Sequence, residues 1–206
     1  MRWVIKPIVW LAGLGPFLWL ATGYPDRWGV NPLEYITLFT GKTALIVLMV
    51  TLAVTPVRRL TGWNDAIRLR RLIGIFAFFY VVLHLCIYLG LDRVFRFGTI
   101  VEDIAKRPFI TVGFAAFLIL LALTITSTKG WIRRLGKRWQ KLHRLVYLAG
   151  GLAVLHYYWK VKADTSEPLI FAGIFALLML FRLPVFKRLH SRGASSRPVP
   201  ATAEEA

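Results

Sequence analysis

Marking every charged residue leaves six long uncharged windows along the chain: Pro7–Pro25, Thr43–Val57, Leu72–Leu91, Pro108–Thr128, Leu145–Trp159 and Pro168–Phe181. The first, third and fourth are each long enough to cross a hydrocarbon core of ~30 Å at a rise of ~1.5 Å per residue. The second, fifth and sixth are shorter, and Lys42, Lys160 and Arg182 stand at their ends, where long cationic side chains snorkel toward water. The pattern predicts an all-α membrane protein, a bundle of six transmembrane helices over residues 1–189. The first window follows Arg2 and Lys6 as a signal peptide would, but it is long for a signal h-region and contains Trp10, Trp19 and Pro16, so it is read as a span.

Composition removes the main competitors. Of 206 residues 57% are hydrophobic and only 18% charged, yet 27 Lys+Arg against 10 Asp+Glu give a formal charge of +17, with a mean hydropathy of +0.58. A disordered basic chain requires low hydrophobicity. A soluble nucleic-acid binder requires a polar face for which this composition leaves little room. The charge therefore belongs to loops. Alternating the loops across the bilayer puts nineteen of the 27 basic residues on one side, that of both termini and of the segment Lys129–Arg144. The positive-inside rule makes that side cytoplasmic. The Ser-, Arg-, Pro- and Ala-rich segment 190–206 reads as a disordered cytoplasmic tail. Cys86 is the only cysteine, so neither an internal disulfide nor a cysteine-held cluster is available within the chain.

Few ionisable side chains fall inside the windows, and three of them are histidines. His84 lies in the third window, His156 in the fifth and His143 at the entrance to the fifth; His190 falls in the tail. Counted from Arg71 and from Arg144, His84 and His156 reach nearly the same depth, roughly 20 Å along outward-running helices. A single intramembrane histidine can simply bond a backbone carbonyl. Two at one depth on parallel helices can clamp a planar cofactor, and imidazole is a ligand of haem iron. On a straight helix His143 and His156 point about 140° apart, so either Gly150-Gly151 bends the helix between them or they serve different sites. Arg70 or Arg71, neither an iron ligand, occupies the position facing His143 on the third helix. The aromatics before His84, Phe76, Phe78, Phe79 and Tyr80, are read as bundle packing. A small proton-coupled transporter using the histidines as relays, a ferric- or flavin-linked transmembrane reductase and an assembly subunit are the alternatives left open.

Several segments resemble one family. They are Leu83-His84-Leu85, the run from Leu135 to Tyr147 through Trp139 and His143, and His156-Tyr157-Tyr158-Trp159-Lys160. Phe39-Thr40-Gly41-Lys42, Arg70-Arg71-Leu72-Ile73-Gly74, Arg107-Pro108-Phe109 and Pro168-Leu169-Ile170-Phe171-Ala172-Gly173 add to the match. Over nearly all the chain except the tail it is similar to the MsrQ family, haem-binding membrane subunits of the ferric-reductase-like transmembrane group. The resemblance implies b-type haem, FMN, electrons from the quinone pool, an inner-membrane location and a periplasmic molybdopterin partner of MsrP type that reduces methionine sulfoxide. Relatives in the wider group carry two histidines on each of two helices, around two haems. Here His143 and His156 match on the fifth span but only His84 on the third, which leaves a second bis-histidine haem without that ligand. The expectation is therefore at least one haem, held by His84 and His156, with His143 serving an inner cofactor.

Overall fold

Local chemistry marks out the helices. The computed structural model of the chain describes residues 2–23, 28–161 and 164–182, with side chains from residue 5 onward. Among these residues the order is α1 Arg2–Ala21, α2 Pro32–Thr61, α3 Ala66–Ile87, α4 Phe97–Lys106, α5 Pro108–Ile125, α6 Lys129–Leu135, α7 Lys137–His143, α8 Leu145–Lys160 and α9 Ser166–Leu180. A π-helical turn, Tyr88–Asp92, continues α3. No strand occurs among the described residues. The tail 190–206 with His190 lies outside them.

Three stretches are long and apolar enough to cross a membrane: α2, α3 with its π turn, and α5. Ile5–Ala21 of α1 and Ser166–Leu180 of α9 are apolar but shorter. The second charge-free window looked short only because Lys42 interrupts it; α2 continues through that lysine for 30 residues. Asn31 caps its start by accepting the Glu34 N–H, and Pro32 occupies the first turn, where its missing N–H costs nothing. Gly62 ends it in the left-handed conformation, φ 72°, donating its N–H to Arg58 O.

The core joins five helices, with Leu178 contributed by α9. Leu45, Leu48 and Leu52 of α2 meet Ala77 of α3, Leu120 and Leu123 of α5, and Val146 and Ala149 of α8. At Gly150 an added Cβ would lie 2.8 Å from the Phe175 ring, so this glycine lets α9 approach α8. Arg182 fastens the end of α9: its guanidinium donates to Tyr147 Oη and to Leu52 O, each at 2.6 Å.

Tyr80 is completely buried and repairs α1. Pro16 lies inside that helix, where the ladder of i→i−4 bonds is weakened. The Tyr80 hydroxyl donates to Gly13 O at 2.6 Å and accepts the Phe17 N–H at 3.1 Å, entering the ladder beside the proline. Phe76 packs edge-on against Trp10 and Phe79 against Phe17. Of the aromatics preceding His84, Phe76, Phe79 and Tyr80 therefore hold α1 to α3, while Phe78 stacks on Phe117 of α5.

Beyond the π turn, α4 is fixed by Asp103, which is 7% exposed. Its carboxylate accepts Tyr88 Oη at 2.9 Å and pairs with Arg93 Nε at 2.6 Å and Arg107 Nε at 3.0 Å. The clamp ties α4 across the ends of α3 and α5, at the edge of the site described next.

Candidate functional site

His84 stands near the end of α3 and His156 near the end of α8; facing them are the N-terminal halves of α2 and α5. His84 Nδ1 lies 3.0 Å from Thr37 O, and His156 Nδ1 lies 2.6 Å from Phe109 O. A carbonyl only accepts, so each imidazole carries its proton on Nδ1 and keeps the Nε2 lone pair. Neither Nε2 has a hydrogen-bond partner among the described residues. Carbonyl bonds alone would make these histidines structural. Fixing the tautomer that leaves Nε2 free is also the usual preparation of a metal-binding histidine.

The two rings face one another with centroids 6.2 Å apart and planes at 82°. They line a common cavity of about 300 Å³, otherwise mostly apolar, to which α2, α3, α5 and α8 all contribute. An iron roughly 2 Å from each Nε2 would place the ring centroids about 6 Å apart, which is the spacing found. Among the described residues no group of three or more His, Cys, Asp or Glu side chains converges as for a bare ion. Two opposed imidazoles suit instead an iron whose other ligands come from a porphyrin. The residues present fit a bis-histidine haem.

Four basic residues also reach the cavity lining. Lys42 pairs with Glu167 at 2.7 Å, and Arg93 and Arg107 pair with Asp103. Lys160, one turn beyond His156, has no carboxylate partner among the described residues.

His143 is not brought to this pair and does not line the cavity. It ends α7, with its ring stacked on Trp139 at 4.0 Å and Nε2 3.2 Å from Thr126 Oγ1. The irregularity between His143 and His156 falls at Arg144, where backbone bonds tighten to i→i−3, and not at Gly150-Gly151, which α8 passes unbroken. His143 and His156 therefore lie apart, the first against Trp139 and Thr126 and the second in the cavity.

Sequence reasoning missed the residues behind the histidines. An added Cβ at Gly41 would lie 3.0 Å from His84 Cε1, and one at Gly113 would lie 2.6 Å from His156 Nδ1. Thr37 and Phe109 contribute through their backbones, which no side-chain search detects. The available signal was a glycine inside each facing helix, a residue that costs helix stability unless something must come close.

Comparison with known proteins gives the family. A family model described as "Ferric reductase like transmembrane component" matches residues 40–154, spanning Gly41, His84, Gly113 and His143. The chain is 52% identical over 191 residues to a protein of Rhodospirillum rubrum named "Protein-methionine-sulfoxide reductase heme-binding subunit MsrQ", covering 91% of this chain and 92% of that one. A protein of the same name from Ralstonia nicotianae is 51% identical over 183 residues, with 87% and 84% covered. Another from Xanthomonas axonopodis pv. citri is 46% identical over 207 residues, with 96% and 94% covered. Similarity at this level along almost the whole chain, joined to a paired-histidine cavity, places it: the chain belongs to the MsrQ family of ferric-reductase-like transmembrane proteins.

Proposed function

We propose that the chain is the haem-carrying electron-transfer subunit of a methionine sulfoxide reductase system, passing electrons from the quinone pool across the bacterial inner membrane to a periplasmic molybdopterin reductase of MsrP type. The observation that carries this reading is the opposed pair His84 and His156, each with Nδ1 donating to a carbonyl and Nε2 free. A bound haem b would supply a one-electron ferric–ferrous couple. His84 and His156 would hold it through their free Nε2 atoms, and ligation by two imidazoles favours electron transfer over binding of oxygen at the metal. Their carbonyl partners raise imidazole basicity and hold the rings in place during the change of charge. Lys160 is the cation available to a haem propionate.

In this reading all six charge-free windows cross the bilayer, with both termini cytoplasmic, the histidine pair in the outer half and the segment beyond residue 189 as a cytoplasmic extension. The excess of Arg and Lys near α6 and α7 supports the orientation. Lys160 would extend α8, of 16 residues, toward the interface, whereas Arg182 at the end of α9 turns inward to Tyr147 Oη and Leu52 O. His143 would serve a separate inner cofactor, with FMN as the second prosthetic group and the quinone pool as electron source. Arg70 is the charge acting on His143 from α3. The chain holds and insulates the couple, and the sulfoxide is reduced on the partner.

The test uses the purified chain, reduced and mixed with the purified periplasmic reductase and methionine sulfoxide. Oxidation of the reduced haem band on mixing is expected. A band that stays reduced with active partner and substrate present contradicts the proposal.

A further inference from the structure

The two histidine sites are built by one device used twice, although the sequence shows no internal repeat. Thr37 and Gly41 are four residues apart on α2, and Phe109 and Gly113 are four apart on α5. In each case the carbonyl accepting the imidazole proton belongs to the residue one helical turn before the glycine. That carbonyl is also the one to which the glycine's own N–H points in an α-helix, so its second lone pair takes the histidine. A helical Cβ leans toward the N-terminus and covers the carbonyl of the preceding turn on its own face. Any side chain at position 41 or 113 would therefore stand where the imidazole must enter. The distances agree: an added Cβ meets His84 Cε1 at 3.0 Å and Nδ1 at 3.1 Å, and His156 Nδ1 at 2.6 Å and Cε1 at 2.9 Å. Close-packed interiors give little at such separations.

Resting on the bis-histidine reading above, we infer that Gly41 and Gly113 are positioning residues that set the orientation of the two axial imidazoles, holding their planes near the observed 82°. Each glycine fixes its ring from behind by allowing the carbonyl bond, and neither touches iron. The mutual angle of axial imidazole planes governs how unevenly the ferric d-orbitals split. Near-perpendicular planes give a highly anisotropic low-spin EPR signal, and parallel planes a more rhombic one. Nδ1 hydrogen bonding also tunes the reduction potential. The two glycines thus act on the electronic character of the site as well as on its shape.

The test is EPR and potentiometry on the full detergent-purified chain carrying Gly41→Ala, Gly113→Ala or Gly173→Ala. The last is a control in α9, where an added Cβ meets nothing within 4 Å. Wild type is expected to give a highly anisotropic low-spin signal. Gly41→Ala, the milder crowding, keeps haem but changes the signal and shifts the midpoint potential. Gly113→Ala changes them further or loses most of the haem, and Gly173→Ala matches wild type. A Gly41→Ala protein with the wild-type signal and potential overturns the inference, whatever Gly113→Ala does. So does a Gly173→Ala protein altered as much as Gly41→Ala. A wild-type chain without low-spin haem fails the underlying bis-histidine reading instead, and the two failures are thereby distinguished.

Discussion

The imidazole of His84 faces that of His156 across 6.2 Å, with the two ring planes at 82°. Neither ring bonds the other, because each Nδ1 is turned back to a carbonyl of a neighbouring helix. Two desolvated polar rings are costly inside an apolar bundle unless a ligand between them uses both free nitrogens. In the proposed reading, a metal centre between the rings completes the coordination.

His143 belongs to a different environment, stacked on Trp139 and bonded to Thr126. Replacing His143 with Ala is expected to leave the low-spin spectrum of the outer haem unchanged while slowing its reduction by quinol. Stopped-flow reduction with a quinol analogue, beside a static spectrum, checks both halves. A static low-spin spectrum lost in His143→Ala would contradict the separation of the sites.

Lys160 is the basic residue of the cavity lining that has no carboxylate partner among the described residues, whereas Lys42 is paired with Glu167. Lys160→Ala should speed haem loss to an apomyoglobin acceptor more than Lys42→Ala does. Lys160 is exposed, so a charge contact there contributes up to about 1 kcal/mol and the rate should rise by roughly two- to fivefold. Equal rates in Lys160→Ala and wild type would remove Lys160 from the propionate contact.

Tyr80→Phe removes a hydroxyl that serves both Gly13 O and the Phe17 N–H beside Pro16. The loss should destabilise the bundle by about 1–3 kcal/mol, the cost of leaving buried polar groups unpaired. Thermal unfolding in detergent should show a lower midpoint with the haem spectrum unchanged. A midpoint equal to that of wild type would show that α1 does not depend on this bridge.

Much of this was legible in the chain. The charge-free windows find α1, α2, α3, α5, α8 and α9 because a membrane-facing helix tolerates few charges anywhere along its surface. The same rule cut α2 short at Lys42, since a lysine inside a helix reads in sequence as a break even where, as here, its charge is paired with Glu167. His84 and His156 stood out by matched depth. Gly41, Gly113, Thr37 and Phe109 did not, because glycine has no side chain to interpret and a carbonyl acceptor is common to every residue. The amphipathic α4 was hidden in a loop whose charges, Asp103 and Arg107 among them, turn out to bond inward.

The most direct test of the account is the reduced-minus-oxidised absorption spectrum of the purified chain, set beside those of His84→Ala and His156→Ala. Wild type is expected to show a reducible low-spin b-type spectrum that disappears in each substituted protein. A wild type without a reducible Soret band, or substituted proteins with unchanged spectra, would contradict it.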